Sequence, residues 1–234
     1  MRRRWLQAGS SAAPPEVSLV FFALAEYANR KAEPMRNVAI LLFDDVEVLD
    51  FVGPFEIFSV TGCRNDAEPP FNVYTVAEKE GVVLARNKLS INPHYTIDHC
   101  PPPDILVVPG GYGTHREMNN PVLLDWIRQQ AARVELMSSV CTGALVLAKA
   151  GLLEGLSATT HYGLYDRLQA IAPNTTVRRG ERFVDNGTVI TSAGVQAGMD
   201  MALHIIARLL GVEVARETAH YIEYDWQLDP ARTP

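Results

Sequence analysis

The pattern of apolar and polar positions changes character at Asn37. Val38 to Phe43 is an unbroken apolar run, as expected for a strand buried on both faces of a parallel sheet. Gly53-Pro54 then opens a helical stretch to about Thr61, with Pro54 suited to a first turn. Phe71 to Ala77 is a second strand, and Val82 to Ile91 reads as an extended or hairpin segment. Asp104 to Val108 is a third buried strand, stopped by Pro109-Gly110-Gly111. Asn120-Pro121 gives an N-cap and a proline at the first helical position, so a helix runs to about Arg133. Leu136 to Val140 is a short strand ending at Cys141, and Thr142 to Ala150 a helix closed by Gly151. Ser157 to His161, Arg182 to Val184 and Thr188 to Ser192 are further strands. Val195 to Leu210 and Val212 to Tyr224 are closing helices.

Strands alternating with helices predict an open, mainly parallel α/β sheet with helices on both faces. In such sheets ligands sit beyond the carboxyl ends of the strands, so residues just after strands carry the functional information. With no internal repeat or linker, one domain is expected over 37–228, followed by a short tail at 229–234. Residues 1–36 look different. Arg2-Arg3-Arg4-Trp5-Leu6 resembles a twin-arginine export signal. The other reading is an N-terminal extension with one short helix, begun by Pro15-Glu16 and ended near Lys31. On either reading this segment is expected to be dispensable for chemistry.

Composition narrows the classes. With 47% hydrophobic and 21% charged residues the chain is globular in type. A net charge of −6 and a pI of about 5.5 argue against nucleic acid as the main partner. No apolar stretch reaches the roughly 18 residues of a transmembrane helix. The three cysteines, Cys63, Cys100 and Cys141, have spacings that fit no zinc or C-x-x-C pattern. Reduced thiols and a cytoplasmic location follow, with twin-arginine export as the alternative.

Ser138 to Ala144 carries the strongest chemical signal. A strand runs into Cys141 and a helix starts at once, which is the layout of a nucleophile elbow. A sulfur at a helix N-terminus is expected to have its thiolate favoured. The same pattern also fits a buried cysteine acting as a small hydrophobe. Pro109-Gly110-Gly111-Tyr112-Gly113 after a strand offers either backbone donors for a developing charge or a tight turn needing positive φ. Arg116 stands where a dinucleotide motif needs its third glycine. Asp50, inside the apolar Val48 to Val52, is an N-cap or a functional carboxyl. His161 ends the strand after the elbow helix, near Cys141 or simply in the core. His204 lies in an apolar helix, as a packing residue does. No histidine has metal-ligand spacing, and no metal is expected.

Together these residues resemble the ThiJ/PfpI superfamily, the class I glutamine-amidotransferase-like group, from about Asn37 to Trp226. Four stretches carry the resemblance: Val48 to Glu56, Val107 to Gly111, Ser139 to Ala144 and Thr191 to Gly198. It implies a flavodoxin-like three-layer sandwich around a mainly parallel sheet, with Cys141 on the nucleophile elbow. Within the superfamily, the Leu49-Asp50 to Gly53-Pro54 stretch and Cys141-Thr142 resemble the isonitrile hydratase branch, as does Tyr221 to Asp225. That branch implies a lyase (hydro-lyase) without metal or organic cofactor. Cys141 would be the nucleophile, Asp50 the acid/base and Thr142 a supporting residue. Gly110, Gly111 and Thr142 would supply backbone donors, and Tyr112 and His161 pocket walls. The reaction implied is water plus an isonitrile giving an N-substituted formamide through a thioimidate on Cys141.

Other branches fit less well. Protease-like members place His after the cysteine, where this chain has Thr142. Glutamine amidotransferases pair a His with a Glu two residues on, but Tyr162-Gly163 follows His161. Two rivals stand. One is a small-molecule-sensing domain related to AraC-type regulators, expected here without the DNA-binding half because the chain ends at Pro234. The other is a redox or carbonyl-stress protein that uses Cys141. The partners expected are a small-molecule substrate and a second copy in a homodimer, with neither nucleic acid nor membrane.

Overall fold

The computed structural model describes residues 35–63 and 68–227. The expected N-terminal helix or export signal and the 229–234 tail lie outside the described residues. The body begins at Met35, where the chain divides into separate units.

The central sheet has seven strands. β1 (Arg36–Leu42) is followed by α1 (Val48–Val60) and β2 (Phe71–Ala77). A small antiparallel hairpin, β3 (Val83–Leu84) and β4 (Ser90–Ile91), precedes β5 (Tyr95–Thr96) and β6 (Ile105–Val108). A short helix α2 (Thr114–Glu117) and then α3 (Pro121–Ala131) lead to β7 (Leu136–Val140) and α4 (Gly143–Lys149). Next come β8 (Ser157–Ala158), α5 (Tyr165–Ile171) and β9 (Thr176–Val177). The chain closes with β10 (Phe183–Asp185), β11 (Val189–Ser192), α6 (Ala197–Leu210) and α7 (Val212–Tyr221). The sheet order is β10-β11-β7-β6-β1-β2-β5, and only the β10–β11 pairing is antiparallel. Helices α1, α6 and α7 pack together, and α4 packs with α2, α3 and α5, giving an α/β sandwich with flanking helices.

Apolar runs explain the centre. Val38 to Leu42, Ile105 to Val108 and Leu136 to Val140 are buried throughout, as strands covered on both faces must be. Strand order reverses at β1, with β2 on one side and β6 on the other. The crevice beyond the carboxyl ends of β1 and β6 is therefore where ligands bind in this architecture. Asn120 caps α3 as the sequence predicts, its Oδ1 accepting from the Val122 amide at 3.1 Å. Among the described residues no helix is long and apolar enough to cross a membrane.

Three differences from the sequence reading touch the site. Helix α1 begins at Val48 rather than Gly53, so Pro54 lies inside it. Asp50 is then not an N-cap but a buried first-turn residue, and Glu47 caps the helix without a side-chain bond. Burial of Phe51, Ile57 and Phe58 holds the helix on both sides of Pro54. The strand expected to reach His161 stops at Ala158, and His161 instead caps a 3-10 turn over Tyr162–Leu164. The helix expected from Val195 begins at Ala197, because Val195 has a left-handed φ of 52°.

Candidate active site

At Cys141 the chain makes a strained strand-to-helix turn. Cys141 has φ 56°, between the end of β7 and the start of α4. A non-glycine residue held there costs about 1–3 kcal/mol and persists only when its surroundings over-determine it. They do. The Cys141 N–H donates to the Ser192 and Ala193 carbonyls at 3.2 and 3.1 Å. Its carbonyl accepts from Thr160 Oγ1 at 2.7 Å. Gly143 lets α4 start against β6, since a Cβ there would lie 2.1 Å from the Val108 oxygen.

Asp50 comes to the same place from the other side of the sheet. Its side chain is fully buried, and Oδ2 accepts from the Gly110 amide at 3.0 Å. Oδ1 has no hydrogen-bond partner, a costly state for a buried carboxyl oxygen. Burial pushes the Asp50 carboxyl up to about 7, against the Gly110 bond and with help from the nearby Glu47 charge. The Cys141 thiol borders this carboxyl and is only 5% exposed. Burial, reinforced by the Asp50 charge, pushes the thiol up to about 12. The expectation of a thiolate favoured by the helix N-terminus is therefore corrected. Desolvation of the sulfur outweighs the Thr142 amide at the start of a seven-residue helix. The two groups form a pair in which the acid is the easier to ionise.

The remaining predicted residues divide. The Gly110 amide is engaged by Asp50, and the Gly111 amide donates to Thr142 Oγ1 at 2.8 Å. Neither amide faces the sulfur; the backbone amides of Thr142 and Val195 do. Gly111 has φ 125°, and a Cβ on it would stand 2.3 Å from the Asp45 oxygen, so the tight-turn reading of this glycine holds as well. The Thr142 hydroxyl serves the glycine loop, with Thr114 Oγ1 at 3.1 Å behind it. His161 walls the thiol. Its Cδ2 and the Cys141 sulfur lie 2.8 and 3.7 Å from the point a Cβ on Gly194 would occupy. His161 Nδ1 accepts from the Gly163 amide at 3.3 Å, so the neutral ring carries its proton on Nε2. Tyr112 projects to solvent beside the glycine loop, 62% exposed, with the Arg86 guanidinium 4.0 Å over its ring. His204 is buried, but as more than packing: Nε2 meets Asp185 Oδ2 at 2.8 Å.

Sequence reasoning gave no role to Thr160, Glu47 or Val195. Thr160 and Val195 act through a hydroxyl on a remote carbonyl and through a backbone N–H, which leave no trace in residue type. Glu47, half-buried at the head of α1, has the residue type of an ordinary surface charge.

The DJ-1/PfpI family model matches residues 36–208. The chain is 35% identical over 188 residues to isonitrile hydratase of Pseudomonas putida, covering 80% of this chain and 78% of that one. It is 33% identical over 175 residues to the HTH-type transcriptional regulator CdhR of Pseudomonas aeruginosa. That match covers 75% of this chain and 51% of the regulator, so the chain spans about half the regulator's length. Among solved structures, a ThiJ/PfpI family protein from Pseudomonas syringae superposes with TM-score 0.74 at 30% identity, covering 86% of this chain and 80% of that one. Drosophila melanogaster DJ-1beta shares the fold at TM-score 0.72 and 22% identity, covering 82% of this chain and 99% of that one. With its α/β sandwich, its strained cysteine after β7 and a family match over most of its length, this chain belongs to the DJ-1/PfpI family.

Proposed function

We propose that this protein is a cysteine-dependent lyase that adds water to an isonitrile, giving an N-substituted formamide. The observation that carries the reading is the buried pair itself: a strained Cys141 thiol against a fully buried Asp50 whose Oδ1 has no other partner. Similarity to the Pseudomonas putida hydratase supports the substrate class.

The chemistry follows from the relative acidities. Above about pH 7 the pair holds one proton, on sulfur, with Asp50 as carboxylate. As sulfur bonds to the isonitrile carbon, Asp50 takes the thiol proton and passes it to that carbon. The product is a thioimidate, R–N=CH–S–Cys141, with Asp50 again a carboxylate. Water then adds to the same carbon. Asp50 takes a proton from the water and the substrate nitrogen gains one. The C–S bond breaks as the carbonyl forms, releasing R–NH–CHO, and the sulfur recovers its proton. The Thr142 and Val195 amides favour negative charge on sulfur, at addition and at expulsion.

The test is formamide production from cyclohexyl isonitrile by the wild type, Cys141→Ala and Asp50→Asn. Turnover in the wild type, lost by at least about 10²-fold in each variant, is expected. Wild-type protein that makes no formamide, or Cys141→Ala with undiminished turnover, refutes the reading. The match to half of a transcriptional regulator favours a second reading, a ligand-sensing domain. That reading expects saturable binding of a small molecule without turnover.

A further inference from the structure

Away from the thiol, β10, α6 and the segment after α7 enclose a cavity of about 490 Å³. Neither Cys141 nor Asp50 lines it. Two charged networks join β10 to α6 around it. In the first, the Arg182 guanidinium donates to Asp200 Oδ2, through Nε at 2.6 Å, and the Tyr224 hydroxyl donates to Asp200 Oδ1 at 3.0 Å. In the second, Arg208 donates to both oxygens of Asp185 at 2.9 Å, and His204 Nε2 meets Asp185 Oδ2 at 2.8 Å.

His204 is only 7% exposed, and its ring lies against Phe183 with centroids 4.6 Å apart. Burial works against the Asp185 carboxylate, but bonds from His204, the Gly187 amide and Arg208 outweigh it and hold the carboxyl down to about 2. Asp185 is therefore an acceptor, and Nε2 of His204 carries the proton toward it. In the neutral ring Nδ1 keeps a lone pair. Nδ1 makes no hydrogen bond among the described residues, is not sealed in the core, and opens on the cavity that the ring lines. The ring cannot turn away without breaking the bond to Asp185, so this acceptor is fixed in direction.

The rest of the lining says what the acceptor is for. Tyr224 and Trp226 add aromatic surface, and the Trp226 amide donates to the Tyr224 carbonyl at 2.9 Å, which holds that segment in a turn. Arg182 is a cation, but Asp200 already neutralises it. Asp225 at the rim is a further carboxylate. We infer that this cavity is a second small-molecule site, taking a protonated primary amine on a compact apolar skeleton. One ammonium N–H donates to His204 Nδ1, and Asp225 supplies the opposite charge. Aromatic faces attract a cation and cover its carbon skeleton, and Tyr224 and Trp226 provide them. A quaternary ammonium would meet the rings and the carboxylate but leave Nδ1 without a donor. A neutral alcohol would serve Nδ1 but carry no charge.

The test is independent of any reaction at Cys141. Isothermal titration calorimetry of the full chain uses three probes: cyclohexylammonium chloride, N,N,N-trimethylcyclohexylammonium chloride and cyclohexanol. The wild type should bind one cyclohexylammonium with a Kd of about 1 mM, as suits so small a ligand. The quaternary ion and the alcohol should each bind about tenfold more weakly, for want of the N–H or the charge. His204→Phe keeps a ring against Phe183 but has no acceptor, and should weaken cyclohexylammonium by about tenfold. Trp226→Leu should weaken it by about threefold. Cys141→Ala, remote from the cavity, should bind it within about twofold of wild type. No saturable heat from the wild type overturns the inference, and so does a quaternary ion or an alcohol bound as tightly as the primary ammonium. Binding lost in Cys141→Ala places the ligand at the thiol and overturns it as well. Should His204→Phe fail to fold, an unchanged affinity in Trp226→Leu still overturns it.

Discussion

Asp50→Asn should make the protein more stable, and the gain should appear only as the pH rises. In the native state burial holds the Asp50 carboxyl up to about 7, against an ordinary value of 3.8. The native state therefore keeps a proton that the unfolded chain releases. Stability contributed at this position is full below the lower value and is lost as pH climbs through the interval to about 7. The shift is about three units, at 1.36 kcal/mol each, so ionised Asp50 costs at most about 4 kcal/mol above pH 7. Asparagine keeps an oxygen for the Gly110 amide and has no charge to bury. Urea unfolding of wild type and Asp50→Asn from about pH 4.5 to about pH 8.5 measures the difference. Other titrations cancel, since both proteins share them. The variant's advantage should be small at the acid end, grow with pH and level off above about 7, at a few kcal/mol. A difference that stays flat with pH, or a variant less stable than wild type at the alkaline end, would refute the reasoning. The same substitution should abolish turnover, the expected trade where a site is built at the fold's expense.

Other expectations follow from the same geometry. If Asp50 must be a carboxylate to take the thiol proton, kcat/KM should fall below about pH 7; a profile unchanged down to about pH 5 contradicts that role. Thr160→Val removes the 2.7 Å bond to the Cys141 carbonyl and should cost about 1–3 kcal/mol in urea unfolding, with a loss of activity as the elbow relaxes. Full stability with full activity would mean that Thr160 does not hold the elbow. Light scattering at micromolar concentration should give a homodimer mass, and a monomer would defeat that expectation.

Legibility in the sequence followed how local each cause was. The runs Val38 to Leu42, Ile105 to Val108 and Leu136 to Val140 announce buried parallel strands because burial on both faces demands apolar residues at every position. Asn120-Pro121 announces a helix start because cap and first-turn geometry are local. The short elements escaped: β5, α2, α5 and β9 have seven residues or fewer and too little periodicity to read. Pro54 misled, because proline favours a first turn, whereas burial of Phe51, Ile57 and Phe58 carries α1 through it.

The α/β class, the strand-to-helix turn at Cys141 and the anomaly of Asp50 in an apolar run are each written in residue type and spacing over a few positions. How they act depends on what the fold packs around them. It brings Asp50 from α1 to a thiol ninety-one positions away, and excludes enough water to push both groups up rather than the thiol down. It also engages the Gly110 and Gly111 amides elsewhere and sets the Thr142 and Val195 amides beside the sulfur. Desolvation depends on everything packed around a group, and a backbone N–H belongs to every residue except proline. Neither leaves a mark that a local pattern can show.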